Sequence, residues 1–223
     1  MLDQLATNPL GFIFWIVSLV IAITIHEFSH AYAADRLGDP TPQLQGRLTL
    51  NPLAHLDPLG TLMLLVARFG WGKPVQFDPF NLRNPRRDSA IISFAGPLSN
   101  LVLATVCAVL FQILIHYRLA FLGNAVGIAV YVVMGLLRPI IILNVILAIF
   151  NLVPIHPLDG FKIVGGILPT EYARQWYELE PYGMIFLIFL IFPIFGGSSP
   201  ISTIISPIIN AILSLLLPSS SFI

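Results

Sequence analysis

Residues 12–34 read FIFWIVSLVIAITIHEFSHAYAA. From Phe12 to Ile25 the only polar side chains are Ser18 and Thr24, and neither is charged. A helix of about 20 apolar residues crosses a bilayer. The stretch therefore reads as a membrane helix that carries three ionisable groups, His26, Glu27 and His30, close to its end. An ionisable side chain at membrane depth costs several kcal/mol without a partner, at roughly 3 kcal/mol or more each. The helix that decides the fold thus also holds the residues that need explaining.

The rest of the chain shares this character. Of 223 residues, 57% are hydrophobic and 10% charged, against roughly 25% charged in a soluble domain. A soluble protein of this length could not hide so much apolar surface. Besides the first span at 9–34, runs at 89–116, 138–158 and 182–217 are long enough to cross. The last is interrupted by Pro193, Gly196, Gly197 and Pro200, so two short helices or a re-entrant hairpin are expected. Residues 56–70 are apolar but short, which suits a re-entrant or interfacial segment, and part of 120–137 is expected at the far interface. The fold class is a polytopic α-helical membrane protein of about 4–6 membrane segments. One membrane-embedded domain, 1–223, accounts for the sequence, with no soluble accessory domain. The first nine residues, MLDQLATNP, hold no basic residue, so the first run is expected to stay in the mature chain rather than leave as a signal peptide. Zero net charge gives no sign of nucleic acid, and the lone Cys107 excludes an internal disulfide.

Residues 35–88 are polar and rich in Pro, Gly and Asn. Leu44, Leu48 and Leu50 share one parity, while Gln43, Gln45, Arg47 and Thr49 share the other. Residues 74–78 alternate too, with Val75 and Phe77 on one face. These periods predict a small membrane-associated β-ribbon over 43–50 and 74–78. Arg36, Arg47, Arg68, Lys73, Arg83, Arg86 and Arg87 all fall in or near this region, with Lys162 and Arg174 on the same side. Arg118 and Arg138 lie opposite, with an N-terminus bearing only Asp3. The positive-inside rule puts 35–88 in the cytoplasm and the N-terminus outside.

Residues 26–30 read His-Glu-Phe-Ser-His. Positions four apart stack on one helix face, so His26 and His30 can grip one metal while Glu27 points toward a bound water. This is a zinc-hydrolase pattern. Two histidines and a glutamate pairing with each other inside a bundle would be the plainer reading, but a catalytic zinc site has a reason for all three. Such sites commonly take three protein ligands and leave one position open. The best third ligand is Asp159, in the stretch from Asn151 to Gly160, where Pro154 and Pro157 break an apolar helix at matching depth. Irregular backbone at that depth is tolerated when it lines a watery cavity.

Three stretches, His26-Glu27-xx-His30, Phe94-Ala95-Gly96-Pro97-Leu98-Ser99-Asn100 and Asn151-xx-Pro154-xx-Pro157-Leu158-Asp159-Gly160, resemble the site-2 protease family of intramembrane zinc metalloproteases. Asn51-Pro52, Pro58-Leu59-Gly60 and Lys73-Pro74-Val75 resemble its compact members, which lack appended domains. The resemblance covers nearly all of 12–165. It implies one Zn2+ per chain on His26, His30 and Asp159, with Glu27 as catalytic acid/base and Asn151 assisting substrate or oxyanion binding. It also implies transmembrane protein substrates, regulated intramembrane proteolysis, and an integral protein of a prokaryotic cell membrane whose site opens to the cytoplasm. The small residues of 94–100 would let the second long span pack closely on the metal-bearing helix. His156 departs from the pattern and, with His55, is a possible auxiliary ligand. A catalytically silent zinc-binding scaffold and a zinc or proton transporter are the alternatives. The first has no use for Glu27. The second calls for a repeat or a polar path across the bilayer, and neither is visible in the sequence.

Overall fold

The computed structural model describes residues 6–67, 70–117, 125–192 and 199–218. Helix α1 runs Pro9–Leu37, α2 Pro58–Ala67, α3 Pro85–Tyr117, α4 Ala125–Asn151, α5 Asp159–Ile167, α6 Thr170–Tyr177, α7 Gly183–Ile191 and α8 Pro200–Leu216. Three of them, α1, α3 and α4, are long and apolar enough to cross a membrane. At about 1.5 Å per residue each exceeds the roughly 30 Å of a bilayer's hydrocarbon core.

Local chemistry sets the limits of α1. Asn8 accepts the Gly11 N–H at 2.9 Å ahead of the helix, and Pro9 fills the first position, where a missing N–H costs nothing. At the other end Gly38 adopts φ 104°, and the N–H groups of Gly38 and Asp39 close on Asp35 and Ala34. A left-handed residue there is cheap only for glycine. Between these ends Ser18, Ala22, His26, His30 and Ala34, spaced by four, are all buried. This stripe of small residues admits α3 and α4 close to the backbone, and the two histidines ride inside with it.

The three helices form a bundle, and α8 closes over α3 and α4. Ala104, Cys107, Ala108 and Phe111 of α3 pack there with Ile140, Ile141 and Val145 of α4 and Ile201, Ile205 and Ile209 of α8. Cys107 is a buried packing residue. On the outside α3 exposes Val102, Val106, Val109, Leu110 and Ile113, an apolar surface that a bilayer covers. Helix α5 packs on α3, and α6 braces it. Trp176 stacks on Phe161 with centroids 5.1 Å apart and donates Nε1–H to the Phe161 carbonyl at 2.9 Å.

Several expectations change. No sheet forms among the described residues; an isolated bridge, Leu56 with Gly72, is present instead. Residues 41–44 make a helical turn begun by Pro40 and Pro42, and Gly46 reverses the chain at φ 68°. The alternation over 43–50 does not become alternating burial: Gln43, Leu44 and Gln45 are all exposed, and Arg47 is the buried side chain. Leu44 and Leu50 are 82% and 57% exposed, while Arg47 is 4% exposed. Arg47 spends its guanidinium on the carbonyls of Ala54 and Lys73, stitching the loop internally. Residues 73–78 form no regular secondary structure. Residues 125–151 form one helix through Pro139 rather than an interfacial piece followed by a span from 138, and that helix ends at Asn151, so 152–158 is irregular. Residues 58–67 form the short helix α2. The 182–217 run contains two short helices. The break read at Pro193, Gly196 and Gly197 lies outside the described residues, as do Asp3, Arg68 and Arg118.

Candidate metal centre

His26 and His30 leave the buried face of α1 one turn apart, and Asp159 opens α5 after the irregular stretch 152–158. Asp159 Oδ2 lies 3.1 Å from His26 Nε2 and 3.2 Å from His30 Nε2. One ligand atom from each residue falls within 4.8 Å of the others. The opposite nitrogen of each ring is already engaged. His26 Nδ1 meets Asn100 Oδ1 at 2.6 Å, and His30 Nδ1 meets the Ile92 carbonyl at 2.7 Å. Both acceptors require the proton on Nδ1, so each ring in its neutral form presents the Nε2 lone pair to the shared space.

That arrangement leaves Asp159 Oδ2 buried without a hydrogen bond. A carboxylate oxygen facing two imidazole lone pairs is repelled unless a cation lies among them. The space is also kept open from α3. A Cβ on Gly96 would stand 2.5 Å from His30 Nε2 and 2.7 Å from His26 Cε1. Two imidazoles and one carboxylate, converging and otherwise unsatisfied, fit a divalent metal such as zinc.

A polar chain through the bundle supports the pair. Asn100, fully buried, donates through Nδ2 to the Ala22 carbonyl at 3.1 Å and to Asn144 Oδ1 at 2.6 Å. Asn144 in turn donates to the Ile140 carbonyl at 2.8 Å. All three long helices are thus tied to the orientation of His26.

Glu27 points away from the buried stripe, half-exposed, and its Oε2 accepts the Val75 N–H at 2.8 Å. The segment 73–78 therefore lies against the glutamate. It is held from below by Asp39, which accepts from the Asp78 N–H at 2.7 Å, Asn81 Nδ2 at 2.8 Å and Thr41 Oγ1 at 2.6 Å. Burial opposes the ionisation of Asp39, but these donors outweigh it and hold the carboxyl below its ordinary range.

The remaining sequence candidates sit elsewhere. Asn151, at the end of α4, donates to the Leu147 carbonyl of its own helix at 2.9 Å. His55 is fully buried and bonded through Nε2 to the Thr49 carbonyl at 2.7 Å. His156 faces Glu180 Oε1 at 3.6 Å and the edge of Phe161. Neither histidine joins the His26–His30–Asp159 group. Asn100, read in the sequence as part of a close-packing motif, and Asn144, not singled out there, join the site in the fold. Their signal was an uncharged amide in the middle of an apolar helix.

The family model for peptidase family M50 matches residues 14–192. The chain is 36% identical over 196 residues to YwhC of Bacillus subtilis, which carries the provisional name of zinc metalloprotease; the match covers 86% of this chain and 87% of that one. It is 29% identical over 185 residues to Rip2 of Mycobacterium tuberculosis, covering 80% and 66% of the two chains. Against Rip2 of Mycolicibacterium smegmatis it is 31% identical over 188 residues, covering 81% and 67%. Both Rip2 proteins carry the same provisional name. No solved structure matches the chain significantly.

Proposed function

The chain belongs to peptidase family M50, and from that premise we propose that it is an intramembrane zinc metalloprotease that hydrolyses peptide bonds in or beside transmembrane segments of other membrane proteins. The observation that carries this reading is the convergence of His26, His30 and Asp159 on one space, with Glu27 adjacent in sequence and tethered by Val75. The cofactor is Zn2+, and His26, His30 and Asp159 would hold one ion per chain. When bound, zinc supplies Lewis acidity that acidifies water and polarises a carbonyl.

Glu27 takes the proton of the attacking water and returns it to the leaving amine. The Val75 N–H fixes one carboxylate oxygen and leaves the other to exchange the proton. Asn151 is the proposed donor to the developing oxyanion, through the amide hydrogen other than the one it gives to the Leu147 carbonyl. A transmembrane substrate hides its amides in helical bonds and has to unwind. The segment 73–78, held beside Glu27 by the Val75 N–H, is the proposed place for the unwound strand to dock. The bilayer is the common solvent of enzyme and substrate. The basic residues of the α1–α3 connection favour a site watered from the cytoplasm.

Glu27→Gln tests the reading. It preserves size and the hydrogen bond but removes basicity. Zinc content should be unchanged, and cleavage of a single-span reporter in membranes should fall by about 10²–10⁴-fold. Normal cleavage by a zinc-loaded Glu27→Gln protein would sink the mechanism. Unsubstituted protein carrying full zinc but cutting nothing would favour a silent scaffold.

A further inference from the structure

Lys162 has no place in the chemistry above, yet it stands beside it. It lies one turn after Asp159 on α5, so the two side chains leave the helix on the same side. Its ammonium sits 4.6 Å from the centroid of the Phe77 ring. Phe77 belongs to the segment whose Val75 N–H holds Glu27, two residues away. Lys162 thus spans the space between the helix of the third metal-group residue and the backbone that tethers the general base.

Lys162 is partly buried, and its ammonium makes no hydrogen bond or ion pair among the described residues, its neighbour there being the Phe77 ring. A lysine of that burial normally snorkels to water or finds a carboxylate. Burial pushes its pKa down, and Asp159, Glu180 and Glu27 pull it back up without any of them pairing with it. An ammonium offers three donors and no acceptor, and a backbone carbonyl is the neutral acceptor that an unwound peptide supplies.

We propose that Lys162 is a substrate-contacting residue, its ammonium donating a hydrogen bond to a backbone carbonyl of the peptide segment lying between α5 and residues 73–78. The assignment rests on the protease reading above. It separates the role of α5 into two parts: Asp159 faces the metal and Lys162 faces the peptide.

The test uses the full-length protein in detergent micelles. The probe is a fluorogenic single-span peptide, an apolar helix of about 20 residues interrupted by an Asn-Gly pair. Lys162→Met keeps length and packing on Phe77 but removes the donors. It should keep full zinc and lower kcat/KM by about 10–100-fold, the range of a charged hydrogen bond, with most of the change in KM. Lys162→Arg should recover to within about 5-fold of the unsubstituted protein, because it restores a charged donor. In the Glu27→Gln background, capture of the uncut peptide should weaken by the same factor on Lys162→Met. If Lys162→Met does not fold, Lys162→Gln takes its place. Unchanged KM and unchanged capture overturn the assignment and leave the protease reading standing. Equal losses in the Met and Arg variants, accompanied by loss of zinc, also overturn it, because the residue would then be bracing Asp159. If the unsubstituted protein cuts no peptide and Glu27→Gln captures none, the protease reading fails and the assignment falls with it.

Discussion

Gly96 is the residue at which packing and chemistry meet most directly. Its missing side chain is the floor of the His26–His30 pair, since a methyl there would stand 2.5 Å from His30 Nε2. Alanine is the better helix former by about 1 kcal/mol, so Gly96→Ala should leave the helix content intact while zinc, measured on purified protein, is lost. Asn100→Ala acts at the other end of the ring. It removes the acceptor for His26 Nδ1 and should weaken zinc by about 10–100-fold in chelator competition, the usual cost of a lost orienting partner. The histidines, Glu27 and Asp159 were legible because their spacing and membrane depth leave few other uses. Asn100 and Asn144 were visible as letters but not as a linked pair, because residues 44 positions apart meet only in the folded bundle. The bond from Val75 to Glu27 could not be read at all. It joins a backbone group to a side chain 48 positions away, and a backbone N–H has no sequence signature.

At the scale of elements, the α1–α3 connection shows where reading by pattern turned over. Alternation at 43–50 was present in the sequence, but Pro40 and Pro42 start a helical turn and Gly46 reverses the chain, so no strand carries it. Here Leu44 and Leu50 face out and Arg47 holds the connection from within. The piece at 73–78 depends for its position on Asp39, whose carboxylate gathers donors from Thr41, Asp78 and Asn81. Asp39→Ala leaves those donors unmet and should cost on the order of 3 kcal/mol. It should also reduce cleavage without removing zinc. Because the folded pKa of Asp39 lies below its ordinary value, its contribution is complete above about pH 4 and drains away as pH falls through the folded value. Thermal melts between neutral and acid pH should show a shallower acid-side loss for Asp39→Asn than for the parent.

For the whole molecule, three helices are long and apolar enough to cross a bilayer, and the basic residues predict which way up the chain sits. Cysteine introduced at Arg83 or Arg87 should react with an impermeant reagent only from the cytoplasmic side. The native Cys107 is buried and should stay silent. Labelling from outside would reverse the orientation and move the water supply of the metal group to the other face. Stripping zinc with a chelator should abolish cleavage, and one equivalent of Zn2+ per chain should restore it.

The stripe Ser18, Ala22, His26, His30, Ala34 carries a mechanical consequence. A slide of α1 along α3 by one turn, about 5.4 Å, brings an imidazole onto the place of an alanine in either direction, His26 onto that of Ala22 or His30 onto that of Ala34. After such a slide Gly96 would face one ring and one alanine, and the pair would be broken. His26 and His30 are therefore the detents that index one helix against the other. Binding an ion between them and locking the alignment of the bundle are a single event, so an interhelical cross-link should report metal occupancy.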